Sequence, residues 1–413
     1  SGKYPTDEAG IRELYEYDKA HFNPPLFSDP TENNTIKLVK SEADALENAK
    51  RFYLSVKRSN LANGVIANIQ VLDEKSAIQI EPKKIVMKPL PELPGYMEVI
   101  RNEILKNSVV PNRTFATAGV IALFSVLCST RYTLKGNRPA TFSLILGETG
   151  AGKDSIRSFL YSVLNSEHLA KYNLLGLQNY VSAPATVLGL PRQRTRLDVV
   201  DEFSSFIKAA ANPASSHKRE VMTELMQILT INTGFYAGIK AISRQESGAC
   251  FAPSVSLLGL VQPATFIEHA NKDMLEAGFF SRFLYFYDEP NENRKHTLNR
   301  SALLSSDRGY PLTLAAIKEL FPRLDSFDTS DLISPEKAVP TFTEMHLDHK
   351  LEDAYIDGIE YFHEIGGKDG IQRTLYSRAG QNMGKLCIQF AAACGREHIE
   401  RSDIDCAVEF LSS

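Results

Sequence analysis

Residues 141–153 read Thr-Phe-Ser-Leu-Ile-Leu-Gly-Glu-Thr-Gly-Ala-Gly-Lys, and residues 154–165 continue as Asp-Ser-Ile-Arg-Ser-Phe-Leu-Tyr-Ser-Val-Leu-Asn. The first six residues are an apolar run typical of a buried strand, and the segment after Lys153 has the apolar spacing of a helix. Glycines between a strand and a helix let backbone N–H groups wrap around phosphate oxygens, because no Cβ obstructs them. The helix N-terminus adds partial positive charge, and a lysine there reaches the β- and γ-phosphates. We therefore predict a nucleotide-binding P-loop. Its residues are Gly147, Glu148, Thr149, Gly150, Ala151, Gly152 and Lys153, with Asp154 and Ser155 opening the helix.

The residue after the lysine departs from the usual P-loop pattern. A Ser or Thr normally stands there, and its hydroxyl binds Mg²⁺. This chain has Asp154, followed by Ser155. A carboxylate can ligate Mg²⁺ directly. Alternatively, Asp154 is a first-turn residue that the helix dipole favours, and Ser155 or water completes the metal shell. We favour Asp154 as a metal ligand and leave the alternative open.

A second carboxylate motif follows downstream. The segment Leu197-Asp-Val-Val-Asp201-Glu202 is an apolar strand pattern that ends in two acids, 48 residues after Lys153. In an ATPase these acids would have separate roles: Asp201 would hold the Mg²⁺ shell and Glu202 would polarise the attacking water. Acidic pairs are also common on surfaces, but a preceding P-loop favours the functional interpretation.

Two further positions could touch a nucleotide. The strand pattern 254–261 ends in Gln262, whose polar side chain could orient water or contact the γ-phosphate, or could only cap the strand. Arg282 stands just before the apolar run 283–287, so we expect it at the edge of a strand or helix. There it could act as an arginine finger on the γ-phosphate of a neighbouring subunit, or form a structural salt bridge.

The order of P-loop, Asp-Glu strand, polar-tipped strand, Ser281-Arg282-Phe283 and helical C-terminal part resembles the AAA+ ATPases. Ser281-Arg282-Phe283 is similar to the arginine-finger motif of minichromosome-maintenance helicases. From residue 91 to about 411, roughly three-quarters of the chain, the sequence resembles a helicase/primase-like family of unknown function found on phages, plasmids and integrated elements. The most specific motifs are the P-loop and Gln262-Pro263 through Arg282-Phe283.

That resemblance implies roles for three more cations. Arg378, in the pattern Leu375-Tyr-Ser-Arg378, looks like a sensor-2 arginine that closes over the phosphates from the lid, with Arg373 as a rival and an exposed helix arginine as the plain alternative. The alternation in residues 235–248 predicts a hairpin. In the minichromosome-maintenance helicases such a hairpin enters the pore, so Lys240 and Arg244 would follow a single-stranded DNA backbone. The plain alternative is an edge hairpin with solvated charges.

Composition limits the remaining possibilities. The chain has 46 Lys and Arg against 50 Asp and Glu, which excludes a generally basic surface and restricts nucleic-acid contact to a local pore or stripe. We expect solvated loops for residues 217–219 and for Arg192, Arg194 and Arg196, although these arginines could instead line a subunit interface or the pore entrance. The longest apolar stretch, residues 115–128, is shorter than the ~20 residues of a membrane helix, so we expect no membrane contact. The five cysteines include no Cys-x-x-Cys pair, which favours structural thiols in a reducing cytoplasm.

The sequence thus predicts an α/β chain in which strands and helices alternate into a parallel sheet. We expect a mixed α+β domain at residues 1–90, a helical block at 91–140, a P-loop AAA+-like core at 141–340 and a helical lid at 341–413. The expected function is Mg·ATP hydrolysis by a ring, expected to be a hexamer, that moves on single-stranded DNA as a replicative helicase of a mobile element, with a primase or loader as a further partner. The alternative is a nucleotide-dependent switch or assembly ATPase with slow turnover. A DNA-packaging motor would bring a nuclease domain with clustered carboxylates, which the sequence does not show.

Overall fold

The structure is a computed structural model that describes residues 90–212, 215–241, 246–270, 274, 277–288, 298–305, 309–322, 324, 339–367, 373–374 and 376–413. For residues 240, 241, 246 and 247 it describes the backbone alone. The chain divides into two units, Ser1–Val86 and Met87–Ser413, and all described residues belong to the second. The predicted α+β domain at residues 1–90 therefore lies outside the described residues, apart from Leu90.

The helices and strands occupy most of the described residues. The helices are α1 (Tyr96–Asn107), α2 (Arg113–Ser129), α3 (Lys153–Leu164), α4 (Ala183–Val187), α5 (Phe203–Ala211), α6 (Ser216–Ile231), α7 (Pro263–His269), α8 (Arg300–Leu304), α9 (Pro311–Leu320), α10 (Glu352–Gly366), α11 (Ala379–Ala393) and α12 (Arg401–Leu411). The strands are β1 (Tyr132–Thr133), β2 (Phe142–Leu146), β3 (Thr195–Val200), β4 (Phe235–Tyr236), β5 (Lys240–Ala241), β6 (Glu246–Ser247), β7 (Cys250–Phe251), β8 (Ser254–Val261), β9 (Phe283–Tyr287), β10 (Thr343–Glu344), β11 (His346–Leu347) and β12 (His398–Ile399).

Four of these strands form one sheet with the order β3-β8-β2-β9, and every neighbouring pair is parallel. A single parallel bridge between Leu175 and Leu197 extends the sheet beyond β3. Parallel neighbours require crossover connections, and helices supply most of them here. The prediction of a mixed α/β fold with a parallel sheet is confirmed.

Both faces of the sheet are covered, so its strands are continuously apolar rather than alternating. Every residue of β2 and β8 is buried. Successive side chains of β2 enter different cores: Phe142 and Leu144 pack with α5 and α6, whereas Ile145 packs with α2. The sheet is thus the middle layer between two hydrophobic cores.

Helix α2 is the central element of one of these cores. It contacts all four strands of the sheet on one side and packs against α1, α3 and α11 on the others. Fifteen of its residues are buried, which explains why its sequence is apolar around its whole circumference. No helix of the described residues is long and apolar enough to span a bilayer.

The C-terminal helices α10, α11 and α12 pack on one another, and α11 also contacts α2. The sequence predicts an all-helical segment from residue 344 onward, but β11 and β12 form a short parallel pair within it. Helix α12 begins at Arg401, where Glu400 and Asp403 form a capping box.

A hairpin precedes β8, as the alternation in residues 235–248 predicts. Strand β4 pairs antiparallel with β7, and β5 pairs antiparallel with β6, with Lys240 opposite Ser247. The backbone of Lys240 therefore lies in the distal part of the hairpin. The Lys240 side chain and all of Arg244 lie outside the described residues.

The expected solvated loops are wrong in two places. Arg194 and Arg196 are 3% and 2% exposed. Arg196 belongs to β3, which is covered on both faces, and Arg194 directly precedes that strand. The Arg196 guanidinium donates to the buried Asp198 carboxylate and to the Thr186 carbonyl. Residues 217–219 lie in the first turn of α6, where the Lys218 ammonium donates to the carbonyl of Tyr180.

Candidate functional site

The glycine-containing segment between β2 and α3, here called the glycine loop (residues 147–152), lies at the carboxyl edge of the sheet. It is tied to the neighbouring strand, since the Gly147 N–H donates to the carbonyl of Val261 at 3.1 Å. Gly152 has a φ of +94°, and a Cβ there would lie 2.5 Å from the carbonyl oxygen of Val110. Gly150 also has a positive φ, +78°, but open space surrounds it. Gly152 is thus required both by conformation and by close packing, whereas Gly150 is required by conformation alone.

Lys153 is the first residue of α3 and its ammonium points back into the glycine loop. The Nζ atom donates to the carbonyl of Gly147 and, at 3.4 Å, to that of Val261. Burial lowers the pKa of Lys153, and the carboxylates of Glu148, Asp201 and Asp154 oppose that effect. A half-buried ammonium whose hydrogen bonds go to carbonyl oxygens is suited to receive an anion, because an anion would pair with it directly.

Asp154 and Ser155 differ in their environments. The Asp154 side chain is exposed, and it affects Lys153 less strongly than Glu148 or Asp201 does. The Ser155 hydroxyl donates to the Gly152 carbonyl at 2.6 Å and thereby supports the loop. Asp154 is therefore free to turn toward a metal, whereas Ser155 would first have to break a bond with the loop.

Three strands bring the predicted polar residues to one edge. The order β3-β8-β2 puts the end of β8 between the glycine loop and Asp201. Gln262 follows β8 directly, and its amide donates to the Thr149 hydroxyl at 3.2 Å. Because adjacent strands lie about 4.8 Å apart, the ends of β2 and β3 are separated by roughly 10 Å.

Asp201 and Glu202 occupy the turn that joins β3 to α5. Glu202 is exposed and has a φ of +52°, in the left-handed region that a residue with a Cβ seldom adopts. Its N–H donates to the Asp201 carboxylate at 3.1 Å, which holds this conformation. Backbone strain of this kind concentrates at functional sites, so it marks Glu202 as a candidate.

The Asp201 carboxylate has a partner that the sequence-based prediction missed. The Arg157 guanidinium on α3 donates to Asp201 Oδ2 at 2.5 Å. Both side chains are more than 40% exposed, so the pair contributes at most about 1 kcal/mol. The sequence could have indicated this partner, because Arg157 is four residues after Lys153 and therefore shares its helix face.

Arg282 and Arg378 lie at the other end of the sheet. Arg282 ends a short 3₁₀ turn, Phe280–Arg282, and immediately precedes β9, whose first residue Phe283 pairs with Phe142. The five paired residues of β2 and β9 separate it from the glycine loop by roughly 17 Å. Arg282 lies at a strand edge, as predicted.

Arg378 shares a cleft with Arg282 and does not close over the glycine loop of its own chain. Arg378 directly precedes α11 and lies at the amino edge of the sheet, so its predicted role at the phosphates stays a prediction. Arg373, the rival, is exposed and does not line that cleft.

Lys385 is a second residue that the prediction missed. It lines the same cleft from α11, seven residues or about two turns after Arg378. It is only 7% exposed. The helical spacing from Arg378 could have indicated it.

His, Cys, Asp and Glu are the side chains that most often bind metals, and the described residues contain all four. Within the described residues, no three or more His, Cys, Asp or Glu side chains come together as a metal site. Burial raises the pKa of the Cys128 and Cys387 thiols and raises that of Cys250 to about 11. These three cysteines are packed in the hydrophobic cores.

Comparison with known proteins adds no relative. No family model matches the chain, and no curated protein matches it either. Functional inference for this chain therefore rests on its residues and their geometry.

Proposed function

We propose that this chain is an Mg·ATP hydrolase of the AAA+ type that assembles into a ring and moves on single-stranded DNA. The observation that carries the proposal is the carboxyl edge of the sheet, where Lys153, Gln262 and the pair Asp201–Glu202 follow three adjacent parallel strands. Ligands of open parallel sheets bind beyond the carboxyl ends of the strands. In this proposal the glycine loop is a P-loop.

The residues of this edge would divide the chemistry among themselves. The loop N–H groups and Lys153 would hold the β- and γ-phosphates. Asp201, with Asp154 beside the phosphates, would hold Mg²⁺, which prefers one or two carboxylates with waters and phosphate oxygens. The metal would neutralise phosphate charge when bound. Glu202 would take the proton of the attacking water, and Gln262 would orient that water.

The distance between the two edges supports a ring. Arg282 is roughly 17 Å of strand away from its own glycine loop, so it could reach a γ-phosphate only in another subunit. A heterologous interface of this kind closes by rotation into a ring. In the same proposal Arg378 also acts on the neighbour's nucleotide.

Mixed rings test this arrangement. Lys153→Ala removes the phosphate ligand and Arg282→Ala removes the finger, so each variant alone should lose hydrolysis. When the two are mixed, some interfaces combine an intact P-loop with an intact finger, and activity should partly return. Failure to recover any activity, with both variants folded and assembled, would refute a trans role for Arg282.

The DNA-binding part of the proposal rests on the hairpin. Its backbone places Lys240 in β5, distal to the β4–β7 pair. We propose that Lys240 and Arg244 contact the phosphate backbone of single-stranded DNA in a hexamer, during replication of a mobile element in the cytoplasm, with a primase or loader as a partner. ATP hydrolysis at low salt should then rise with single-stranded DNA and with protein concentration, and DNA binding should weaken steeply with salt.

One observation favours a second candidate, a slow nucleotide-dependent switch. The ion pair of Arg157 with Asp201 engages the carboxylate that Mg²⁺ would need. Hydrolysis that is slow, and indifferent to DNA and to protein concentration, would favour the switch over the motor.

A further inference from the structure

Among the described residues, the cleft at the amino edge of the sheet is lined by three cations and by no acidic side chain. The Arg282 guanidinium donates to the carbonyl of Gly278, and that of Arg378 donates to the Gln381 amide oxygen at 3.1 Å. Lys385 has no hydrogen-bond or ion-pair partner within the described part of the chain. None of the described residues that line this cleft is acidic.

Lys385 is the most enclosed of the three cations. Its side chain is 93% buried, and an unpaired ammonium in such a place is costly. Burial lowers its pKa to about 7, and repulsion by Arg282 and Arg378 contributes to that decrease. Around neutral pH the amine is therefore divided between its charged and neutral forms.

Among the described residues, the helices packed against α11 bring no carboxylate into electrostatic contact with Lys385. Helix α10 presents Tyr355, whose hydroxyl lies against Gly384 and whose pKa burial raises. The Asp403 carboxylate of α12 is bonded to Arg396, and Arg101 of α1 is bonded to Glu98. Helix α2 has no charged residue after Arg113.

The rest of the lining is neutral, so it does not repel an oxyanion. Asn137, Thr230 and Asn232 are hydrogen-bonded within the protein, and Asn382 adds a further amide. The cleft measures about 50 Å³, which holds a few waters or one small tetrahedral oxyanion but no nucleotide base. Charge-assisted hydrogen bonds from several cations are the usual means of holding phosphate.

We propose that Lys385 is the third cation of a phosphate-binding cleft with Arg282 and Arg378, and that it takes up one proton from solvent when a phosphate group enters. The source of that phosphate is the neighbouring subunit's nucleotide, and to that extent the proposal rests on the proposed function. Inorganic phosphate has the same chemistry and could use the same cleft in an isolated subunit.

The first experiment isolates the cleft from the glycine loop. The full chain with Lys153→Ala is titrated with inorganic phosphate by calorimetry at several pH values, in buffers of different ionisation enthalpy. Above pH 8, where inorganic phosphate is already the dianion, we expect uptake of up to one proton per phosphate and an affinity that falls roughly tenfold per pH unit. Binding that shows no proton uptake, or no binding of phosphate at all, would overturn the proposal.

Two substitutions at Lys385 separate a positioning role from a merely structural one. Lys385→Met should weaken phosphate binding and remove its pH dependence. Lys385→Arg should retain binding but also lose the pH dependence, because a guanidinium stays charged. Lys350→Met, the same change at an exposed lysine, should behave as the parent. A pH dependence unchanged in Lys385→Met would also overturn the proposal.

The second experiment identifies the source of the phosphate. Assembly of the otherwise native chain with a non-hydrolysable ATP analogue and Mg²⁺ is followed by sedimentation between pH 6.5 and 9. Assembly that weakens with pH in the native chain but not in Lys385→Arg supports the neighbour's nucleotide as the source. A different result is phosphate binding with proton uptake, together with assembly that does not depend on pH and mixed rings that recover no activity. In that case the cleft is a site for free phosphate, and only the ring proposal is refuted.

Discussion

Replacing Lys385 with methionine should stabilise this protein near neutral pH, and the gain should shrink as the pH rises. In the folded chain burial and two arginines lower the pKa of Lys385 to about 7, against an ordinary value of 10.5. Between those values the unfolded chain holds a proton that the folded chain lacks, so the free energy of unfolding of the native sequence rises with pH. Below pH 7 Lys385 is protonated in the folded and in the unfolded chain. The buried charge then lowers the free energy of unfolding by its full amount, on the order of 4 to 5 kcal/mol at 1.36 kcal/mol per pH unit. Methionine has no proton to lose, so its advantage over lysine should fall by about 1.4 kcal/mol per pH unit between pH 7 and pH 9.

Urea unfolding of both chains in phosphate-free buffer measures this difference. Urea is preferred because it is uncharged and does not screen the three cations. The chain has no tryptophan, so far-ultraviolet circular dichroism is the suitable signal. Lys350→Met serves as the control, and its stability should stay within about 0.5 kcal/mol of the native sequence at each pH. If the difference between Lys385→Met and the native sequence is the same at pH 7 and pH 9, the buried amine does not titrate in this range and the reasoning is refuted.

Three further predictions concern the carboxyl edge of the sheet. Glu202→Gln should leave nucleotide binding intact while phosphate release falls at least about 100-fold; loss of binding would instead mean that the carboxylate is structural. Gly152→Ala should weaken nucleotide binding at least tenfold, because a Cβ there collides with backbone, whereas Gly150→Ala, at a similar positive φ in open space, should have a milder effect; equal effects would contradict the packing argument. Arg157→Ala should lower the Mg²⁺ concentration for half-maximal hydrolysis up to about fivefold, because Asp201 loses a competing partner worth at most about 1 kcal/mol, and Arg157→Lys should not.

Local patterns predicted the elements around the glycine loop well. The strand, loop and helix of residues 141–165 occur as Phe142–Leu146, the turn and Lys153–Leu164. Strand Ser254–Val261 has the predicted bounds, and the hairpin before it is present in its backbone. These predictions succeeded because apolar periodicity and glycine placement act over a few residues and do not depend on distant partners.

Burial of charge was less predictable. Arg194 and Arg196 lie in a segment with the composition of a solvated loop. Both are nevertheless buried, at the start of β3, which is covered on both faces. In the sequence, Lys385 looks like an ordinary lysine of a helix. It is enclosed only because α11 lies next to the segment before β9. Whether a charged residue is buried depends on which segments meet over it in the tertiary structure, and those segments are not visible in the local sequence.

The sequence by itself determined the glycine loop, the apolar strands on which it depends and the identity of the acids that follow β3, since these depend on backbone conformation and short-range periodicity. The tertiary structure alone decided the strand order β3-β8-β2-β9, which brings Gln262 between Lys153 and Asp201. It also decided that Arg378 lies with Arg282, at the edge opposite the loop. The physical reason is that strand order and helix docking are set by which apolar faces bury one another across the sheet, an interaction between segments far apart in the chain.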